Sequence, residues 1–289
     1  MNARDMQGRV HRSLLTALVL VFGLFPSGAA ACPYDSILAF GDSLSANTGT
    51  GDGPGGRWSD GPVWVEYLAG RLGVGLTDRA YQETTTAMLL SQVTSYGTIS
   101  GSALVTIWAG GADLAGIVND YGVSYQEAAQ NMNAVIVALI GKGARNFVIP
   151  NLLNVGVIPN VISYYHNELP TGFVFPEGIN SAEAYASWWC QGFNAQLTDY
   201  LNSLKRSRTD CKFYTYDTYT MLTDMVAHPK TFGFSNKDDI FFEGFHPSTQ
   251  TYAYLADQVY SQVVPLPTSL LLFGSGLLGL IGIRRRIRG

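Results

Sequence analysis

The strongest constraint on this chain is an alternation. Apolar runs at residues 37–40, 103–109, 146–150 and 213–216, with a weaker one at 74–76, are separated by helical patterns at 62–71, 86–95, 125–140, 182–204 and 248–263. Strands that are apolar along their whole length must be covered on both faces, and helical crossovers between successive strands join parallel neighbours. The pattern predicts an α/β fold, a five-stranded parallel sheet sandwiched between helices, with its chemistry at the carboxyl ends of the strands. Residues 32–262 show no repeat, linker or charge block, which suits one domain of this type. Residues 156–179, rich in Pro, Tyr and Phe, are expected to form a long ligand-facing loop.

Composition enters through what it excludes. Hydrophobic residues make up 47% and charged residues 14%, too apolar for a disordered chain, and 3 Cys are too few for a disulfide scaffold. Cys190 and Cys211 are close enough in sequence to close a disulfide in an oxidising compartment, and their pairing stays open. Seven of the 18 Lys+Arg and one of the 22 Asp+Glu lie in the two ends, so the body carries a net charge of about −10. That field repels phosphate backbones and argues against a nucleic-acid partner.

Both ends read as addresses. Arg4, Arg9 and Arg12 precede apolar residues 14–25, then Pro26-Ser27-Gly28 and Ala29-Ala30-Ala31. This is the layout of a secretory signal peptide over residues 1–31, with cleavage expected near Ala31. Cys32 then begins the mature chain, where a lipid could attach, although Ala29 stands where a lipoprotein signal usually has Leu. At the other end Val264-Pro265-Leu266-Pro267 leads into apolar residues 268–283 and then Arg284, Arg285, Arg286 and Arg288. At helical rise that stretch spans about 24 Å, short of the ~30 Å hydrocarbon core, so a membrane-crossing helix would need its flanks or a thinned bilayer. The Arg cluster would stay cytoplasmic and the body outside. Residues 263–289 resemble the PEP-CTERM sorting signal of Gram-negative bacteria, with Leu266 in place of the name-giving Glu. The resemblance implies an exosortase-type processing protease as partner. The expected location is the periplasmic side of the inner membrane, followed by transfer to the surface or extracellular matrix; a plain tail anchor is the alternative.

The first apolar run ends in Gly41-Asp42-Ser43-Leu44-Ser45, which places a hydroxyl where the chain turns at the mouth of the sheet. A serine there attacks an acyl carbon only if a base takes its proton. His246, in Glu243-Gly244-Phe245-His246-Pro247-Ser248, precedes the last helix, whereas His166 and His228 read as loop and helix-end residues. Glu243, three residues upstream, is the expected acid that orients the imidazole. Asp42, Glu83, Asp113, Glu243 and His246 are spread over four loops with no ligand-spacing signature, so no metal site and no cofactor are expected.

Several ordered blocks resemble the GDSL or SGNH esterases and lipases. Phe40-Gly41-Asp42-Ser43-Leu44-Ser45 is similar to the first block of that family, Arg57 to Leu68 to the stretch that follows it, residues 147–152 and 233–236 to later segments, and residues 241–248 to the final block. The resemblance implies a three-layer α/β/α sandwich of the flavodoxin-like SGNH type, Ser43 as nucleophile and one oxyanion N–H donor, and His246 as base. Three positions depart from the family pattern. Glu83 stands where an oxyanion-hole Gly is expected, Ala112 follows Gly110-Gly111 where an Asn amide is expected, and Glu243 replaces the usual Asp. Glu does not readily adopt positive φ, and its carboxylate opposes a developing oxyanion. Ala112 has no side-chain donor; nearby Gln82 and Thr84 are polar substitutes.

The expectation is an exported serine esterase using Ser43, His246 and Glu243, with the backbone of Ser43, Glu83, Gly110 and Ala112 around the oxyanion. The alternative is a catalytically impaired sandwich that binds glycan or lipid at the cell surface.

Overall fold

The computed structural model describes residues 32–116, 122–169 and 172–264. Its centre is a parallel sheet of β1 (Ser36–Gly41), β2 (Gly75–Asp78), β3 (Leu104–Trp108), β4 (Asn146–Pro150) and β5 (Lys212–Tyr216), in the order β2-β1-β3-β4-β5. β1, β3 and β4 are almost wholly buried, as apolar runs covered on both faces must be.

The helices are α1 (Trp64–Leu72), α2 (Thr86–Ser95), α3 (Gly111–Ala115), α4 (Tyr125–Gly141), α5 (Pro159–Glu168), α6 (Ala182–Ser207), α7 (Thr218–Ala227) and α8 (Thr249–Val263). α1 packs on α8, while α2, α4 and α6 pack side by side in a separate row. Right-handed crossovers explain the two layers. β1 leads leftward through α1 to β2, and every later step runs back to the right, so its helices fall on the other face. The strand order reverses between β1 and β3, and the loops leaving these two strands face one crevice.

Tight contact between β1 and β3 requires Gly41. Its φ is 149°, and a Cβ there would stand 2.2 Å from the Trp108 carbonyl oxygen. The chain turns immediately afterwards, and Asp42 N–H donates to that same carbonyl (3.2 Å).

The five predicted helices and five predicted strands occur, with ends within about three residues of those expected. The expected loop at 156–179 is a correction: it contains a 3-10 turn, Val155–Val157, and α5, which begins at Pro159. Proline at a helix's first position supplies the required φ and gives up an amide that would have no partner there, so it marks a start as well as a loop. Helix α7 was not anticipated; its signal is Asp217, whose carboxylate caps the Thr220 amide (3.1 Å).

All three cysteines are free thiols, and burial pushes the Cys190 thiol up to about 12. Residues 1–31, where a signal peptide is expected, and the apolar stretch 268–283 lie outside the described residues. Among the described residues no helix is long and apolar enough to cross a membrane.

Candidate active site

The crevice between β1 and β3 contains the closest contact among the sequence-predicted residues. Ser43 Oγ lies 2.8 Å from His246 Nε2, across 203 positions of sequence. With the imidazole proton on Nδ1, the hydroxyl donates to Nε2. Each side is held by secondary structure. Ser43 follows β1, and Leu44 N–H donates to Asp42 Oδ1 (3.0 Å), fixing the turn. His246 is in the short strand β7 (His246–Pro247), paired with β6 (Phe241–Phe242) and followed at once by α8. The α8 start is clamped to the loop after residue 57: Thr249 N–H donates to Asp60 Oδ1 (2.6 Å), and its hydroxyl to the Pro62 carbonyl (2.9 Å).

Trp58 stacks on the imidazole, ring centroids 5.2 Å apart at 28°. Its segment is anchored by Arg57, whose Nε and Nη2 reach both oxygens of Glu66 at 2.8 and 2.6 Å. The same carboxylate accepts the Val63 amide at the start of α1. Enclosure between Trp58 and Phe245 removes water from the imidazole, and this burial lowers the His246 pKa to about 4, so the ring is neutral near pH 7.

Glu243 does not meet His246. Its carboxylate side chain is exposed, and the buried Nδ1 of His246 has no hydrogen-bond partner among the described residues. The turn explains the difference. Phe245 N–H donates to the Phe242 carbonyl (3.0 Å), and both central residues, Glu243 (φ 51°) and Gly244 (φ 69°), are left-handed. This is the hairpin turn that needs positive φ twice. Asn160 Nδ2 holds the Glu243 carbonyl from α5 at 2.5 Å. Three residues of separation therefore cross a hairpin tip, with the acid on its outer side.

The expected oxyanion residues divide. Glu83 is left-handed (φ 58°) at the third position of a turn closed by Thr84 N–H to the Tyr81 carbonyl (3.3 Å). A non-glycine residue in that region costs about 1–2 kcal/mol, so Glu keeps a backbone made for Gly. Among the described residues the backbone N–H groups of Ser43 and Glu83 donate to nothing. Ala112, in α3, lines the cavity, whereas Gly110 sits back against the Phe193 ring and Gly111 takes the lining position. Thr84 Oγ1 commits its one proton to the Tyr81 carbonyl (2.7 Å), and Gln82 Nε2 spends one of its two N–H donors on Thr50 Oγ1 (2.7 Å).

The cavity beside Ser43 and His246 measures about 360 Å³, and its far wall is apolar: Leu152, Leu153, Val155, Ile158 and Val161. The first two follow β4, and the last two lie at and inside α5, the helix found in the expected loop.

Three carboxylates, two buried (Asp42 and Asp113) and one half-buried (Asp78), tie the surrounding loops. Asp42 is pushed up to about 7 by burial, with repulsion from Asp113 adding to the shift and the Leu44 amide opposing it. Asp113 accepts the Thr86 amide (2.9 Å) and hydroxyl (2.7 Å) at the start of α2, and burial raises it to about 6. Asp78 accepts the Asn47 and Ala80 amides, each at 2.8 Å, and burial raises it to about 6. Sequence reasoning gave no role to Trp58, Asn160 or Asp60. Trp58 and Asp60 lie in a block already singled out, but stacking and capping partners are decided only in three dimensions.

Comparison with known proteins agrees with this fold. The family model for GDSL-like lipase/acylhydrolase matches residues 37–259, and the PEP-CTERM protein-sorting motif matches residues 263–286. Two GDSL esterase/lipases of Arabidopsis thaliana are 25% identical over 166 residues (46% of this chain, 43% of that protein) and 32% identical over 97 residues (34% and 24%). The chain thus spans less than half the length of these curated relatives. A solved lipolytic protein of the G-D-S-L family from Veillonella parvula superposes with TM-score 0.51 at 15% identity, covering 79% of this chain and 97% of that one. A catalytic mutant of an acetylxylan esterase from Geobacillus stearothermophilus superposes with TM-score 0.51 at 12% identity, covering 80% and 95%. At such identities the superpositions speak for the fold, and the family match over residues 37–259 speaks for descent: this chain belongs to the GDSL-like lipase/acylhydrolase family.

Proposed function

We propose that this protein hydrolyses carboxylic esters through an acyl-enzyme formed on Ser43. The carrying observation is the 2.8 Å approach of Ser43 Oγ to Nε2 of a neutral, part-buried imidazole. In the first step Ser43 Oγ bonds to the acyl carbon while His246 Nε2 takes the hydroxyl proton, and the backbone N–H groups of Ser43 and Glu83 face the oxygen that gains charge. Imidazolium then gives its proton to the departing alcohol. Water enters, loses a proton to His246 and releases the acid, restoring Ser43. No cofactor takes part. The stacked face of Trp58 stabilises the transient imidazolium, a contribution that matters because Nδ1 faces no carboxylate. Substrates are lipid esters, acylated polysaccharides or small esters, with the acyl group among Leu152, Leu153, Ile158 and Val161.

The test is turnover of p-nitrophenyl esters by purified residues 33–262. The wild-type protein is expected to act slowly on them and to be labelled on Ser43 by an organophosphonate. Ser43→Ala and His246→Ala are expected to fall by about 10³-fold or more, to background. Equal rates in all three proteins would refute hydrolysis. Ala112 and the outward Glu243 favour a second reading, a surface protein that binds glycan or lipid without efficient turnover.

Export by the N-terminal signal, and exosortase-type processing at the sorting motif with delivery to the surface, complete the proposal. Mass spectrometry of the surface or secreted form is expected to find a chain ending before Arg284. Intact termini carrying Arg288 in that fraction would refute processing.

A further inference from the structure

Nδ1 of His246 has no partner among the described residues, and the Glu243 carboxylate is exposed, so the direction of the imidazole is left to the backbone that carries it and to the rings against it. After His246 that backbone is firmly held. Ser248 N–H donates to the Ile240 carbonyl (2.8 Å), and its hydroxyl to the Asp239 carbonyl (2.9 Å). Before His246 comes the hairpin tip, Glu243-Gly244, with both residues in the left-handed region.

The tip is held from outside the hairpin by Asn160, at the start of α5. Asn160 Nδ2 donates to the Glu243 carbonyl (2.5 Å), and Asn160 N–H to the Gly244 carbonyl (2.9 Å). Two consecutive carbonyls bonded to one residue fix two consecutive peptide planes, and with them the path by which the chain enters Phe245 and His246. The approach is close. A Cβ at Gly244 would stand 2.8 Å from Asn160 Nδ2, so glycine serves this contact as well as the turn. Asn160 is itself exposed, but it stands on a fixed base: Ile158 and Val161, on either side of it, are buried in the apolar wall of the cavity, and Ile158 N–H donates to the Val155 carbonyl (3.1 Å).

We propose that Asn160 is a positioning residue for ester hydrolysis, directing the His246 imidazole toward Ser43 by holding the tip of its hairpin, the task that a bonded carboxylate performs in a catalytic triad. The proposal rests on the hydrolase reading for its effect on rate. Its effect on the imidazole is measurable without turnover, because Phe245, the residue after the tip, covers the ring with centroids 5.3 Å apart. A loosened tip moves Phe245 away and admits water to the ring.

The experiment compares the full chain in detergent with its Asn160→Ala, Asn160→Gln and Glu243→Gln variants. Asn160→Ala removes the side-chain donor and keeps the backbone one. Its kcat on a p-nitrophenyl ester is expected to fall at least about fivefold, with KM changed by less than about twofold. Asn160→Gln, which keeps an amide donor at an exposed position, is expected to recover at least about half of that loss. In proton NMR the His246 ring of Asn160→Ala is expected to titrate at least about half a pH unit higher than in the wild type, as water reaches it. Asp42 and Glu83, the ionisable residues that share the cavity with His246, are unchanged in all these proteins. An unchanged kcat, an unchanged His246 titration, no recovery in a folded Asn160→Gln protein, or a greater loss in Glu243→Gln than in Asn160→Ala overturns the proposal. Absence of turnover in the wild type would instead refute the hydrolase reading, and the titration would then decide the part played by Asn160.

Discussion

At the scale of single residues, the site combines a well-placed pair with two poorly supported neighbours. The outward carboxylate of Glu243 and the bare Nδ1 of His246 predict that Glu243→Gln changes kcat/KM for a p-nitrophenyl ester by less than about threefold, where loss of a bonded triad acid costs orders of magnitude. Ala112 predicts the opposite kind of result. One oxyanion donor is worth about 10²- to 10³-fold, and Ala112→Asn restores an amide at a position lining the cavity, so a several-fold gain in kcat is expected. Steady-state kinetics on both variants checks the pair. Ser43 and His246 were legible in sequence because Ser43 follows an apolar strand in a block resembling the family's first one, and His246, one of few histidines, stands in a block resembling its last. The failure at Glu243 was not legible, since two consecutive left-handed residues, one of them not Gly, send its side chain outward.

At the scale of elements, the site depends on how closely β1 and β3 approach before their loops diverge. Gly41→Ala forces a Cβ onto the Trp108 carbonyl in a backbone region that L residues rarely adopt. The expected cost is about 2–4 kcal/mol of stability, together with a loss of esterase rate as the Ser43 turn shifts. Urea unfolding followed by tryptophan fluorescence measures the first and the ester assay the second; a fully stable, fully active variant would contradict the tight β1–β3 contact. The five strands and five long helices were readable because period and length separate them cleanly. Helix α5 was not, because its Pro, Asn and Tyr content is that of a loop, and its position beside α6 and the turn at Val155–Val157 is a tertiary matter.

At the scale of the molecule, the buried ionisable groups set opposing responses to pH. Asp42, Asp78 and Asp113 have raised folded-state values near 6 to 7, so each favours the native state when protonated and loses that contribution as pH rises through its folded pKa. His246, lowered to about 4, acts the other way, disfavouring the native state as pH falls below about 6.5. Three groups outweigh one, so the melting temperature is expected to be higher at pH 5.5 than at pH 8 by differential scanning calorimetry. If hydrolysis runs through the neutral imidazole as proposed, the acid limb of kcat/KM is expected near pH 4 to 5 instead of near 6.5. Sequence alone was enough to give the layer architecture and to single out Ser43 and His246, which the fold brings to 2.8 Å at the carboxyl end of the sheet. The first follows from apolar periodicity, and the second from the ordered blocks around a strand-end serine and a pre-helix histidine. Tertiary structure alone decided which carboxylates face inward, that Trp58 covers the imidazole and that α5 walls the cavity. Side-chain direction and long-range packing depend on local φ values and on neighbours far away in the chain, neither of which a residue's type records.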